Sequence, residues 1–311
     1  MSVKLPKVSI IGAGCLGGAL TLALAEKGYK IASIIDINGS KALSLSKSVR
    51  CEKAGNVVAD IAATSEIIFI TVNDSQIATV SSEISKQKHL YLRKMLTVHC
   101  SGVFSADILD PLRKKGAVVG TMHPIQTFPP FQTPSKLKAK FRGTHFGIDG
   151  SEEALKRIEQ IITTLGGKWL VIPKDLKPLY HIACVFASNY EMIFLNTISE
   201  LSQLLRLPVS WMEAFGPLMT ASMENMVKHG AGKALTGPIV RGDFETIDLH
   251  LKTLDRHAAQ FLPLYTVGGI EAARIAKESG RLSEEDFNEI ILKFRKFIQS
   301  SSMKKITRGK K

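Results

Sequence analysis

Polar residues that could move a proton or hold a substrate follow three apolar runs in the first half of the chain. His99 and Ser101 follow one run, His123 ends a second, and Asn73 and Asp74 follow a third. Such residues at the ends of neighbouring strands would line the edge of the sheet beside a cofactor, so we predict that His99, Ser101 and His123 bind substrate. The alternative is that each ring caps a strand end by bonding to the main chain.

A narrow polar stripe runs along an apolar helix predicted over Leu176–Leu205. At about 100° per residue, its members are His181, Cys184, Ser188 and Glu191, with Lys177 one turn earlier and Asn189 to one side. Such a stripe on a buried helix predicts a cleft, in which His181 with Lys177 or Asn189 would handle a proton and Ser188 would contact substrate. The alternative is a solvated lysine and a core histidine bonded to the main chain.

A loop containing Gly and Pro interrupts the helical second half at Thr236–Asp243. Arg241 in this loop could bind a carboxylate or phosphate bidentately, so we expect it to contact substrate. The alternative is that Arg241 and Asp243 pair with each other and hold the turn.

A glycine-rich turn near the N-terminus has the spacing of a dinucleotide-binding loop. The apolar run Val8–Ile11 leads directly into G-x-G-x-x-G, formed by Gly12, Ala13, Gly14, Cys15, Leu16 and Gly17, and a helical pattern follows. The first glycine permits a tight turn, the second lets the backbone approach a pyrophosphate, and the third lets helix and strand pack. We therefore expect phosphates to bind at this helix N-terminus. The alternative is a glycine turn that has lost its ligand.

Asp36 ends the second predicted strand, where a carboxylate hydrogen-bonds the adenosine ribose of a dinucleotide. It would repel a 2′-phosphate and so favours NAD, although Ser40 and Lys41 could receive that phosphate. The predicted cofactor is therefore NAD(P), with NAD favoured and NADP left open. Asn73 and Asp74 complete the predicted cofactor site.

A parallel sheet is needed to bring these groups together. From Lys7 to about Pro173, short apolar runs alternate with helical patterns, which predicts about eight strands in a doubly wound, mostly parallel sheet. One of these strands is placed at Val57–Val58. After Pro173 only helical patterns continue. We predict an α/β Rossmann domain over 1–173, an all-helical substrate or dimerisation domain over 174–302, and a basic tail over 303–311.

The net charge of +13 could indicate nucleic acid, a membrane surface or an anionic ligand. The densest basic run is the tail and no DNA-binding motif accompanies it, so we expect no nucleic-acid partner. No apolar run is long enough for a membrane span and no secretory signal is evident, which predicts a cytoplasmic protein. Four scattered cysteines without a CxxC pair predict reduced thiols and no metal site.

The motifs together resemble the two-domain reductases typified by 6-phosphogluconate dehydrogenase, ketopantoate reductase and pyrroline-5-carboxylate reductase. Within that group the chain looks most like a family whose second half is the domain of unknown function 2520. The motifs that carry this resemblance are His99–Gly102, His123–Phe128, Tyr180–Cys184, Ala187–Tyr190 and Leu235–Asp243. The resemblance implies a nicotinamide-dependent redox enzyme whose helical domain often dimerises. Related reductases use a lysine followed four residues later by asparagine, whereas Lys177 is followed by His181.

The sequence thus predicts an NAD(P)-dependent oxidoreductase that moves a hydride between nicotinamide and a small, anionic carbonyl or imine compound. We expect a homodimer formed through the helical domain, and catalysis in a cleft between the domains. The alternative is an NAD(P)-binding sensor or scaffold without turnover.

Overall fold

A computed structural model describes residues 5–308, with side chains through residue 297. The chain divides into two compact units, Met1–Tyr190 and Glu191–Lys311. The last strand ends shortly before residue 173, where we predicted the domain boundary. The first unit nevertheless includes the next helix, because Lys177 and Tyr180 of that helix contact the sheet.

The first unit is built on one sheet of eight strands. They are β1 (Val8–Ile11), β2 (Ile31–Ile35), β3 (Lys53–Gly55), β4 (Ile67–Ile70), β5 (Leu96–His99), β6 (Val118–Pro124), β7 (His145–Gly150) and β8 (Lys168–Val171). Their order is β3-β2-β1-β4-β5-β6-β7-β8, and all neighbours are parallel except β6 and β7. Every residue of β1, β2 and β4 is buried, as expected for strands covered on both faces. The predicted mostly parallel Rossmann sheet is confirmed.

Helices cover both faces of this sheet. They are α1 (Cys15–Glu26), α2 (Gly39–Val49), α3 (Ile77–Ser85), α4 (Asp110–Arg113), α5 (Pro134–Leu137), α6 (Glu152–Thr164) and α7 (Lys177–Val185). At β6 the alternation of side chains assigns the faces, because Gly120 lies against Ile158 of α6 whereas Thr121 contacts Lys177 of α7. Helix α7 therefore packs on the face of β6 that carries Thr121 and His123.

The third strand lies at Lys53–Gly55, so the predicted strand at Val57–Val58 is wrong. Val58 begins a short turn of 3₁₀ helix, in which the main-chain N–H of Val57 donates to the Asp60 carboxylate. Strand β3 is an edge strand that pairs only with β2. A partly exposed edge strand needs no apolar run, which is why hydrophobic patterning misplaced it.

The helix predicted over Leu176–Leu205 is interrupted. Helix α7 ends at Val185, a π-helical turn spans Phe186–Tyr190, and α8 (Glu191–Leu204) follows. A π turn inserts an extra residue into the helical repeat. The predicted polar stripe therefore does not run straight from His181 to Glu191.

Within its described residues, the second unit contains helices and the segments that connect them, and no strand. After α8 it contains α9 (Trp211–His229), α10 (Ala231–Ala234), α11 (Phe244–His257), α12 (Leu262–Glu278) and α13 (Glu284–Arg308). The all-helical second half is thus confirmed. Helix α13 continues into the predicted basic tail, of which residues 309–311 lie outside the described part of the chain. Within the described residues, no helix has both the length and the apolar character required to traverse a lipid bilayer.

Candidate active site

The glycines of the loop after β1 differ in their surroundings. Gly12 has a φ of 102°, and a Cβ there would lie 2.7 Å from the Thr71 carbonyl oxygen. A Cβ on Gly17 would collide with the Gly12 carbonyl, to which the Thr71 hydroxyl also donates. A Cβ on Gly14 would meet nothing within 4 Å. Two glycines are therefore required by the turn itself, and the third leaves space before the N-terminus of α1 that suits a pyrophosphate.

Asp36 ties the end of β2 to this loop. Its carboxylate oxygens accept hydrogen bonds from the main-chain N–H of Ala13 at 2.7 Å and of Asn38 at 2.8 Å. The predicted loop residues Ala13, Cys15 and Leu16 are partly exposed. A cavity of about 590 Å³ adjoins the loop and is lined by Ala13, Gly14, Cys15, Lys41, Ser44 and residues 130–135. A bound dinucleotide would thus have the Asp36 carboxylate near its adenosine and the open N-terminus of α1 near its phosphates.

The carboxyl ends of β4, β5 and β6 lie side by side, as the sequence predicted for its polar groups. Asn73 and Asp74 are exposed in the turn after β4. His99 ends β5, and His123 lies near the end of β6. In an open parallel sheet this edge is where ligands bind.

His99 is fully buried and has no free ring nitrogen. Its Nδ1 accepts from the Ser101 N–H, and its Nε2 donates to the Ser105 carbonyl oxygen at 3.0 Å. Burial lowers the pKa of His99 to about 4, so the ring is neutral at pH 7. The hydroxyl of Ser101 accepts from the main-chain N–H of Val103 and of Phe104. Both side chains thus hold the loop after β5 through hydrogen bonds to the main chain. For His99, this arrangement matches the alternative in which the ring caps the end of its strand.

Lys177 lies at the centre of the face covered by α7. Its side chain is fully buried, and its Nζ donates to the Thr121 hydroxyl at 2.9 Å. Burial lowers the pKa of Lys177 to about 8, opposed in part by the charge of Asp149. That carboxylate accepts from the Ala106 N–H, and within residues 5–297 no carboxylate forms an ion pair with Lys177. A buried cation of this kind is typical of functional sites.

Tyr180 follows Lys177 on the same helix, and its hydroxyl lies 2.7 Å from His123 Nδ1. The two residues meet over Gly147, where a Cβ would lie 2.5 Å from the Tyr180 oxygen. Burial lowers the pKa of His123 to about 4, with a further contribution from the charge of Lys177. Burial also raises the pKa of Tyr180. We assigned Tyr180 no role from the sequence, in which nothing shows that a glycine stands opposite His123 in the sheet.

His181 approaches His123 from the other side. The ring centroids of the two histidines are 6.0 Å apart. Gly102 lies against both rings, because a Cβ there would be 2.7 Å from His181 Cδ2 and 3.0 Å from His123 Nε2. The loop after β5 therefore requires glycine at this position, and the side chains of His123 and His181 are both partly exposed.

Ser188 and Asn189 do not join this cluster, and Arg241 belongs to the second unit. The hydroxyl of Ser188 donates to the Cys184 carbonyl oxygen in the π turn and also contacts the exposed Asn189. Arg241 is exposed in the second unit, before α11, whose first turn is capped by Asp243 through Thr246. Within the side chains that the structure describes, no group of three His, Cys, Asp or Glu is arranged to hold a metal.

Two family profiles match the chain. A profile described as a Rossmann-like domain matches residues 2–124, and one described as a domain of unknown function (DUF2520) matches residues 144–270. The second match begins within the sheet, just before β7. A comparison with curated proteins found no match.

Solved structures share this fold over most of the chain. A "putative NADP oxidoreductase" from Bacteroides fragilis is 22% identical, with a TM-score of 0.71 over 88% of this chain and 100% of that one. A protein from Thermotoga maritima is 25% identical, with a TM-score of 0.64 and the same coverage. An imine reductase variant from Myxococcus stipitatus in complex with NAD+ is 15% identical, with a TM-score of 0.55 over 95% of this chain and 94% of that one. These similarities show a common architecture.

Proposed function

We propose that this chain, in which a Rossmann-like domain precedes a DUF2520 domain, is an NAD(P)-dependent oxidoreductase acting on small anionic carbonyl or imine compounds. One observation carries the proposal: buried Lys177 lies beside His123, and His123 beside His181, at the edge of the sheet that also bears the glycine loop. The named activity of solved neighbours, including an imine reductase with NAD+, supports it.

When bound, the nicotinamide would supply or accept the hydride. Reduction of a C=O or C=N bond also needs a proton and a stabilised heteroatom. The partly exposed His181 would exchange the proton, and the ammonium of the buried Lys177 would stabilise negative charge that develops on the substrate. Asn189 lies outside this arrangement, bonded to Ser188 in the π turn.

The charges around the cluster favour an anionic substrate. Lys177 is cationic at neutral pH and has no ion-pair partner among the described side chains. The charge of the Asp149 carboxylate partly opposes the effect of burial on Lys177, but Asp149 forms no ion pair with it and accepts a main-chain hydrogen bond from Ala106. A buried cation without an ion pair attracts a carboxylate-bearing substrate more strongly than the neutral ester of that substrate.

The test is a turnover screen. The purified protein is mixed with NADH or NADPH and a panel of 2-oxo acids and cyclic imino acids, with the esters as matched neutral controls. We expect loss of the reduced-nicotinamide absorbance with acids and much less with esters. Cofactor binding without turnover of any compound would favour a sensor or scaffold, and a protein that binds neither cofactor would contradict the proposal altogether.

We further propose that NADH is preferred over NADPH, because the Asp36 carboxylate stands where a 2′-phosphate would lie. Asp36→Ser is expected to shift the ratio of the two cofactor affinities by about tenfold or more toward NADPH, which corresponds to about 1.4 kcal/mol. Titration of each cofactor by fluorescence measures this ratio. Glu26→Gln, at the far end of α1, is the control, and an unchanged ratio in Asp36→Ser would contradict the assignment.

We also propose a homodimer formed through the second unit. Helix α9 has no buried residue along its 19 positions. Met212, Gly216, Met219 and Met223 follow the helical repeat and line a groove of about 600 Å³. Large exposed apolar stripes of this kind mark protein interfaces. Light scattering should give a mass twice that of one chain. The double variant Met219→Glu and Met223→Glu should be monomeric, and the control Lys228→Glu should remain a dimer. A monomeric wild type would refute the proposed dimer.

A further inference from the structure

We infer that Tyr180 is a positioning residue that holds His123 in the Nε2–H tautomer, so that His123 donates a hydrogen bond to the substrate's carbonyl oxygen or imine nitrogen. This inference rests on the proposed function for the identity of the acceptor. The tautomer itself can be measured without turnover.

The direction of the bond between Tyr180 and His123 follows from its length and from the chemistry of the two groups. The distance of 2.7 Å between the phenol oxygen and His123 Nδ1 is short for an N–H donor and usual for an O–H donor. The deprotonated nitrogen of a neutral imidazole is in turn an acceptor. The single phenol proton therefore goes to His123 Nδ1, 2.7 Å away.

The protonation states of His123 and Tyr180 decide which ring nitrogen of His123 carries the proton. His123 is neutral at pH 7 because burial and the surrounding Lys177, His181 and His99 disfavour an imidazolium. Tyr180 keeps its proton because its burial raises the phenol pKa. A neutral imidazole has one N–H, and when Nδ1 accepts a hydrogen bond that N–H is on Nε2.

The Nε2 atom of His123 lies beside Gly102 and the His181 ring. A Cβ at Gly102 would be 3.0 Å from Nε2 and 2.7 Å from His181 Cδ2, so both rings pack directly against the Gly102 backbone. The His123 side chain is partly exposed, and within the described residues its Nε2 has no hydrogen-bond partner. A substrate heteroatom that approaches this ring would accept a hydrogen bond from Nε2.

This placement divides the chemistry between the two histidines. A neutral imidazole polarises a carbonyl through its N–H without giving up the proton. His123 would therefore act as the fixed hydrogen-bond donor. His181, whose ring has no hydrogen-bond partner among the described residues, would be the group that exchanges the proton. Tyr180 touches neither substrate nor cofactor in this scheme and acts only through His123.

The first test is the tautomer of His123, read from the ¹⁵N chemical shifts of its ring in protein labelled on histidine. We expect an Nε2–H ring in the wild type and a mixture of tautomers in Tyr180→Phe, which keeps the aromatic ring and loses the hydroxyl. Tyr91→Phe, an exposed tyrosine, is the control. An Nδ1–H ring in the wild type, or an unchanged Nε2–H ring in Tyr180→Phe, would overturn the inference whether or not a substrate is known.

The second test uses turnover of the compound that the screen identifies. Tyr180→Phe should lower kcat about tenfold or more, with an unchanged KM for the cofactor and an unchanged Tm. His123→Gln should retain more activity than His123→Asn, because the longer amide places an N–H near the Nε2 position and the shorter one near Nδ1. Equal or reversed activities of these two variants would contradict donation from Nε2. If no compound is turned over, the proposed function fails while the tautomer result stands.

Discussion

Lys177→Met is expected to lower kcat/KM by about 10²–10³-fold while the protein remains folded and at least as stable as the wild type. The loss follows from removing the buried cation that would stabilise charge on the substrate, an effect of the size seen when a fixed electrostatic donor is deleted. The stability follows from replacing a desolvated charge, which has no ion-pair partner among the described side chains, by an apolar side chain of similar length. The cost is a Thr121 hydroxyl left without its Nζ donor.

The pH dependence gives this prediction a second readout. The pKa of Lys177 is lowered by burial from 10.5 to about 8, so between these values the unfolded chain binds more protons than the folded protein. The wild type should therefore gain stability as the pH rises from about 8 to 10.5, and Lys177→Met should lack this gain. The kcat/KM of the wild type should fall above about pH 8 as the ammonium is lost, and the variant should lack that decline.

Lys174→Met is the matched control. Lys174 precedes α7 by three positions, is exposed, and pairs with Asp107 at the surface. It should keep wild-type activity. Wild-type kcat/KM in Lys177→Met would remove Lys177 from the mechanism, and an unfolded Lys177→Met would show that its role is structural.

Gly14→Val is expected to weaken binding of NADH and NADPH by about 10²-fold or more with no change in Tm. The backbone at Gly14 is extended, with a φ of −71°, and a Cβ there meets nothing within 4 Å, so the fold accepts a side chain. That side chain would fill the space in which the loop backbone approaches a pyrophosphate. Calorimetric titration of the cofactor, beside thermal unfolding, measures both effects.

Gly17→Ala provides the contrast within the same loop. The Cβ of an alanine at position 17 would collide with the Gly12 carbonyl, a main-chain group that can move only at a large cost in energy. We expect a loss of stability of about 1–3 kcal/mol together with loss of cofactor binding. Gly268→Ala, at an open position of α12, is the control for a glycine substitution in itself. Wild-type cofactor affinity in Gly14→Val would show that phosphates do not bind at this helix terminus.

The geometry of the candidate site depends on pairs of residues far apart in the chain. His123 and Tyr180 are 57 positions apart, and Thr121 and Lys177 are 56 apart. No local pattern encodes such a pair, because it depends on the register of β6 with β7 and on where α7 crosses them. The requirement for Gly102 and Gly147 arises in the same way, since each glycine accommodates a side chain contributed by α7.

The sequence by itself determined the class of fold and was enough to predict where phosphates would bind. Apolar periodicity decides strands and helices locally, and the glycine loop is a contiguous segment whose steric requirements can be read from spacing alone. Only the tertiary structure decided that His99 is bound by its own loop, that a π turn displaces Ser188 and Asn189, and that Tyr180 contacts His123. These features are set by burial and by contacts between distant segments, and neither exists until the sheet and its helices are packed.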